Sequence, residues 1–387
     1  MKNILIFVLS IVFIISFTNC KKSEQETIKI GAIFSISGAN AFLGEPEKNS
    51  ALMVLENFKK KFPNKNVELI IYDDEGDATK AQNFATKLIE EEKVVAVIGP
   101  TLSGTSLKIT DIATENKTPL ISCAAAAAIV EPVNERKWIF KTAQSDKLAV
   151  SRLYKYISSK GIKNIAILTV ANGFGQSGKT FLENMANDFN IKIVENQTFG
   201  AQDTDMKSQL TKIKSSKPEI IICWGTNPGP AYVVRNAKEL GLNIPIYQSH
   251  GVGNSKYIEL AGDSVEGTFL VAGKLLVNET LSDSDAQKIV LANYTKDYKE
   301  MFKENPSTFG GHGFDSISLV LKAIEEDKLT GKTLEEKREN LRNYLEGVKN
   351  FVGISGIFNF SESDHNGLTE DSFAIIEVKD GKWNFIE

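Results

Sequence analysis

Cysteine and histidine are scarce in this chain, three of each among 387 residues. The histidines His250, His312 and His365 are scattered with no ligand-like spacing, which argues against a metal centre. Apart from Cys20, the cysteines are Cys123 and Cys223, each in or just after an apolar run. An oxidising compartment would let them pair, but two buried free thiols is the favoured reading. Charge of one sign is not in excess either. Lys and Arg number 45 against 49 Asp and Glu, a net charge of −4 with no basic cluster, which argues against nucleic acid as a partner. Low-complexity sequence is confined to Ala124–Ala128, and no charge block is long enough to form a tail. What is present is a globular composition, 42% hydrophobic and 24% charged. The length suits two or three domains, each with its own core.

Only one long apolar run occurs, Ile4 to Phe17, behind the positive Lys2. A membrane-spanning helix needs about 20 apolar residues, so this run reads as a signal peptide over residues 1–19. Phe17-Thr18-Asn19-Cys20 resembles a bacterial lipobox, in which Cys20 is acylated and becomes the mature N-terminus. Residues 20–26 then form a short lipidated tether. An ordinary signal peptide or an uncleaved anchor is the alternative. Each reading puts the folded part outside the cytoplasm, as a membrane-anchored lipoprotein on the periplasmic side or at the cell surface.

Beyond the tether, short apolar strands alternate with helical stretches. IKIGAIFSI, VELIIYD, VVAVIGP and TPLISCA make a first series, with helices near Pro46–Lys61, Thr79–Glu92 and Thr105–Asn116. KNIAILTV, IKIVENQTF, EIIICWG and IPIYQS make a second, with helices near Gln176–Asn187, Asp205–Ser215 and Ala231–Leu240. Strands so continuously apolar belong in parallel sheets covered on both faces. Two such series predict an α/β protein of two doubly wound parallel-sheet lobes. Residues 281–349 read as three helices that return to pack on one lobe. Short strands follow, with an Asp380-Gly381 turn. The loops beyond the strand ends, SISGANAFLG, GPTLSGTS, SCAAAAA, ANGFGQSG, WGTNPGP and QSHGVGN, are rich in small residues. Backbone N–H groups there can approach a small anion or zwitterion closely.

Residues 173–180, GFGQSGKT, match the phosphate loop G-x-x-x-x-G-K-T. Nucleotide hydrolysis also needs a later apolar strand ending in Asp to hold magnesium. The candidate strand EIIICWG carries Trp224 there, and ATP is scarce outside the cytoplasm. The match is read as coincidence, and no cofactor is expected.

The elements IKIGAIFSISG, YDDEGD, VIGPTLSGTS, TPLIS, GFG and GVGNSKYIELAGDSVEGTF occur in that order over nearly the whole chain. In them the sequence resembles the substrate-binding lipoproteins of the branched-chain amino-acid ABC-transporter family, which are leucine-binding-protein-like with a type I periplasmic binding fold. The resemblance implies one lobe from residues 27–143 and 272–351, and another from 144–271 and 352–387. Three crossovers near Ala143, Ala272 and Val352 would form the hinge. It also implies a monomer that closes on a small ligand, leucine, isoleucine or valine by default, and delivers it to a membrane permease.

The resemblance also places the site. Ser103 matches a serine whose hydroxyl binds the ligand carboxylate; capping its own helix is the structural alternative. Ala124 and Ala126 fall where a backbone carbonyl and a Thr or Ser hold the ends of an amino acid, so that hydroxyl is missing. Phe174 would cover the ligand from the second lobe, and Asn227 would add a polar contact. Leu43 replaces an aromatic, whereas Trp224 reads as core. His250 stands where the family places an acid for the ligand's ammonium. Histidine is a poor substitute, since it repels a cation when protonated; a hinge-side histidine bonded to backbone is the alternative. These losses point away from a free α-amino acid, because an unpaired buried ammonium is costly. A sensing module, or a binder of amides, urea or non-amino organic acids, remains open. An enzyme is not expected: a Ser103–His250–Asp triad would join opposite lobes, and nothing in the sequence marks an oriented acid.

Overall fold

The computed structural model describes residues 26–387. The signal peptide and Cys20 lie outside the described residues. No helix among the described residues is long and apolar enough to cross a membrane.

The first lobe begins with β1 (Ile28–Phe34), α1 (Ala41–Lys61), β2 (Val67–Asp73), α2 (Ala78–Thr86), β3 (Ala96–Ile98), α3 (Ser103–Glu115), β4 (Leu120–Ser122) and β5 (Ile139–Lys141). Its five strands form a parallel sheet in the order β2-β1-β3-β4-β5. The second lobe contains α4 (Asp146–Ser159), β6 (Asn164–Val170), α5 (Gly173–Met185), β7 (Lys192–Phe199), α6 (Lys207–Ser216), β8 (Ile220–Trp224), α7 (Gly229–Glu239), β9 (Ile246–Gln248), α8 (Ser255–Ala261) and β10 (Phe269–Gly273). The chain then adds α9 (Lys288–Phe302), α10 (Thr308–Glu325), α11 (Leu334–Gly347), β11 (Phe351–Val352), β12 (Ile357–Phe358), β13 (Phe373–Lys379) and β14 (Lys382–Phe385). The second sheet runs β14-β13-β10-β9-β8-β6-β7, with β13 and β14 antiparallel.

Alternate residues of each central strand feed cores on opposite faces. In β1, Ile30, Ala32 and Phe34 pack with α1 and α10 residues such as Leu55 and Val320. Ile33 faces the other way, toward Ala81, Leu88 and Ile109. In β6, Ala166, Leu168 and Val170 meet Leu210 and Val234, while Ile165 and Ile167 meet Leu153, Tyr154 and Leu182. Burial on both faces is why these strands read as unbroken apolar runs. Cys123 and Cys223 are free and buried, one in each lobe.

Several expected boundaries move for identifiable reasons. α1 begins at Ala41, with Pro46 inside it rather than at its start. α5 begins at Gly173, capped by Asn172, whose Oδ1 accepts the Gly175 N–H at 3.0 Å. The apparent phosphate loop is therefore two turns of helix pressed against the sheet. A Cβ on Gly178 would lie 2.1 Å from the Trp224 indole nitrogen. The third passage between lobes, expected near Val352, comes later, because Phe358, Phe360 and Leu368 still belong to the first core. Phe140 meets Phe360 edge-on at 5.5 Å and stacks on His365 at 4.2 Å. The second passage follows Gly273, the last residue of β10.

The returning helical block locks onto the first lobe through a buried arginine. Arg338 of α11 donates from Nε to the Val94 carbonyl at 3.0 Å and from Nη2 to Ile89 at 3.0 Å. Its Nη1 reaches the Asn116 carbonyl at 3.2 Å. Arg338→Ala removes the donor these carbonyls share, Asn116 alone keeping the Thr118 hydroxyl, and is expected to cost about 3 kcal/mol, read as a lower denaturant midpoint at unchanged slope. A midpoint equal to wild type would show that water replaces the guanidinium without loss.

Candidate functional site

Ser103 is the first residue of α3, and the N-cap position belongs to Leu102, which makes no side-chain cap. The serine hydroxyl is therefore not engaged in capping its own helix. It instead accepts the Ala126 N–H at 3.3 Å. This joins the helix N-terminus, with its partial positive charge, to the alanine loop after β4. The Ala124 N–H is taken by Ser122 Oγ at 3.1 Å, and the Ala125 carbonyl accepts Lys141 Nζ at 2.6 Å.

Ser103, Phe174 and Asn227 line one cavity of about 300 Å³ between the lobes, together with Asn40, Gly104, Asn172 and Gly173. Ala126 lines a wider, more apolar groove of about 960 Å³ on the other side of Gly173, with Leu107, Val133, Ser177 and Phe181. The two spaces are parted where Gly173 meets Gly104: a Cβ on Gly173 would stand 3.3 Å from the Gly104 nitrogen. A side chain at Gly173 would press on the α3 backbone at Ser103 and Gly104, whereas the Gly104 position has room for one. Leu43 is buried and does not line the Ser103 cavity.

His250 sits behind Phe174, in the second lobe. Three rings enclose it edge-on, Phe174 at 5.3 Å, Trp224 at 5.7 Å and Phe373 at 5.6 Å. Neither ring nitrogen finds a hydrogen-bond partner among the described residues; the backbone-bonded hinge histidine is not what is observed. Burial, and secondarily the charge on Lys141, lower its pKa to about 3, so it is neutral at physiological pH. Trp224 is core, as expected, yet its indole N–H has a polar task, donating to Asp146 Oδ1 at 3.2 Å.

Asp146 and Lys141 are the residues that sequence reasoning missed. Both are completely buried. Burial raises the Asp146 carboxyl, against the Ser177 hydroxyl and the Lys141 charge, and lowers the Lys141 ammonium. Asp146 Oδ1 stands 3.9 Å from His250 Nε2, too far for a hydrogen bond, and its Oδ2 is unpaired among the described residues. An acid does stand beside His250, but it does not orient the ring as a triad acid would, and Ser103 is bonded to Ala126 instead. The Asn227 amide donates to Asn254 Oδ1 at 3.4 Å and leaves its own oxygen unpaired. No group of metal-ligating side chains occurs among the described residues.

The sequence matches the family described as periplasmic binding protein over residues 27–382. It is 28% identical over 304 residues to a leucine-, isoleucine-, valine-, threonine- and alanine-binding protein of Pseudomonas aeruginosa, covering 78% of this chain and 79% of that one. An extracellular ligand-binding receptor from Rhodopseudomonas palustris HaA2 superposes with a TM-score of 0.87 at 31% identity, over 94% of this chain and all of that one. The branched-chain amino-acid substrate-binding protein LivJ of Streptococcus pneumoniae, solved with isoleucine, shares the fold with a TM-score of 0.80 at 24% identity, over 93% of this chain and 99% of that one. These relatives are solute-binding proteins. With two lobes, a cleft at their strand ends and a match over nearly the whole described chain, this protein belongs to the periplasmic binding protein family, of the type that includes the Leu/Ile/Val-binding proteins.

Proposed function

We propose that the chain is the extracytoplasmic solute-binding component of an ABC importer, tethered through Cys20, and that its lobes close on a small carboxylate-bearing ligand without an ammonium. The observation that carries this reading is the Ser103 hydroxyl at the N-terminus of α3. The serine hydroxyl is released from helix capping, the Ala126 N–H points at it, and the N-terminus of α3 stands beside both. A carboxylate placed there takes charge-assisted hydrogen bonds of the strong kind. Behind Phe174 on the opposite wall, burial keeps the His250 imidazole neutral, where the resemblance implies an acid. A permease receives the ligand, and the protein acts as a monomer.

Isothermal titration of the purified protein with amino acids, keto acids, hydroxy acids, aromatic acids, amides and ATP tests this. An acid lacking ammonium is expected to bind, leucine to bind weakly or not at all, and ATP not to bind. Ser103→Ala should weaken the bound acid about tenfold or more, as loss of one charge-assisted bond does. A submicromolar leucine affinity would sink the ligand claim, and tight binding of an amide alone would favour the second reading.

The neutrality of His250 has a consequence of its own. Below about pH 6.5 the unfolded chain protonates this imidazole, whereas the folded site accepts a proton only near pH 3. The unfolded state therefore binds more protons in that window, and His250 lowers stability as pH falls through it. In ligand-free protein, the stability of His250→Leu relative to wild type should rise toward acid by up to about 1.4 kcal/mol per pH unit below 6.5. Lys141, Asp146 and His312 titrate in both proteins, so the difference isolates His250. A difference constant from pH 7 to 4 would contradict it.

A further inference from the structure

We propose that the cavity beside Ser103 takes an uncharged, hydroxyl-bearing chain, so that the preferred class is small monocarboxylic acids with a hydroxyl remote from the carboxylate. This rests on the carboxylate reading of Ser103 and deepens it. Asn227, on the opposite wall of the same cavity, is the residue that selects the hydroxyl. The cavity runs from Ser103 and Thr105 in the first lobe to Phe174, Gln202, Thr226 and Asn227 in the second. Among the described residues that line it, none is acidic, basic or a histidine. The wider groove beyond Gly173 differs, since Glu131, Lys147 and Glu362 border it. A charge on the part of the ligand that fills the cavity would be buried with no opposite charge in its wall, which is costly.

That wall also carries an acceptor left open by a fixed amide. Asn254 caps α8, its Oδ1 accepting the Lys256 N–H at 2.9 Å. The same oxygen accepts from Asn227 Nδ2 at 3.4 Å. Turning the Asn227 amide over would set two acceptor oxygens against each other, so the network fixes its orientation. Asn227 Oδ1 is the atom that remains. It has no partner among the described residues, and Asn227 is only 4% exposed. Closure of the lobes takes this oxygen out of water, and a donor on the ligand replaces what it loses.

Each end group fares differently against that oxygen. A hydroxyl donates to it and brings no charge. A methyl leaves it unbonded, which costs about tenfold or more in affinity. A second carboxylate sets oxygen against oxygen. The neighbouring N-terminus of α5 does not compensate, because Asn172 already accepts the Gly175 N–H there. An ammonium donates, but it meets an amide where its charge needs a carboxylate.

Acids of one chain length and different ends decide it: hexanoate, 6-hydroxyhexanoate, 6-aminohexanoate and hexanedioate, with their four- and five-carbon homologues, titrated into the purified protein. At the length that spans the cavity, the hydroxy acid is expected to bind about tenfold or more tightly than the others. Asn227→Leu should shrink that preference to within about threefold, with thermal unfolding verifying that the variant is folded. Asn227→Asp should instead strengthen binding of the amino acid about tenfold or more, a change of selectivity that a merely structural role would not produce. Equal binding of hydroxy and alkyl acids at every length would overturn this inference and leave the carboxylate reading intact. Tightest binding of the diacid or the amino acid by wild type, or a preference unchanged in Asn227→Leu, would overturn it as well. If none of these acids binds, the inference fails, and the carboxylate reading stands or falls with the wider ligand set.

Discussion

The passage Thr142–Ser145, between a buried cation and a buried anion, is the constraint on which this molecule depends. Lys141 ends the first sheet and Asp146 opens the first helix of the second lobe. Taking either charge out of water alone would cost several kcal/mol, and each feels the other's opposite charge through the low-dielectric interior. The chain between them is tied to distant segments. Thr142 Oγ1 donates to the His312 carbonyl at 3.0 Å, Gln144 Nε2 to Ser355 at 2.7 Å, and Asn366 Nδ2 to Ala143 at 3.0 Å. Asp315 then receives the Ile354 and Ser355 N–H groups, each at 2.7 Å. Distant parts of the chain are thus tied at one crossing, which limits the lobes to motion about it.

That crossing also reaches the ligand wall. Lys141 holds the Ala125 carbonyl and so sets the alanine loop, whose Ala126 N–H meets Ser103. Asp146 holds the Trp224 indole, which with Phe174 forms the enclosure of His250. One charge pair therefore positions binding elements on both lobes. A substitution in it would disturb the pocket from both sides, so its effects should not add simply to those of Ser103 or His250.

The parts legible from the chain were those governed by local periodicity. Apolar runs such as KNIAILTV could only be strands covered on two faces, and Ser103 was recognisable through the resemblance, at the start of the helix after VIGP. Asp146 and Lys141 were not legible, because a lone charge at the end of a short strand or the start of a helix reads as surface. Their burial comes from β13, the Phe360–Asn366 segment and α10, all far away in sequence. His365 shows the same limit: it stacks on Phe140 and bonds the Ile139 carbonyl at 2.8 Å, extending the first lobe past Val352. The G-x-x-x-x-G-K-T match misleads in the opposite direction. Gly175 is required because a Cβ would lie 1.8 Å from the Val170 carbonyl, and Gly178 because of Trp224. Close packing, not phosphate, explains both glycines.

Selectivity then follows from what each wall lacks. On the proposed reading the first lobe presents the Ser103 hydroxyl at the N-terminus of α3, and so favours an anion. A second wall with a free acid would balance that with an ammonium and make the site a zwitterion receptor. Here the acid's charge is already matched by Lys141, and the neighbouring imidazole is held neutral by burial. The field across the cleft is therefore one-sided. A ligand with a single negative end and an uncharged polar neighbour leaves no buried charge unmatched, whereas an added ammonium would add a second cation to a region already holding one.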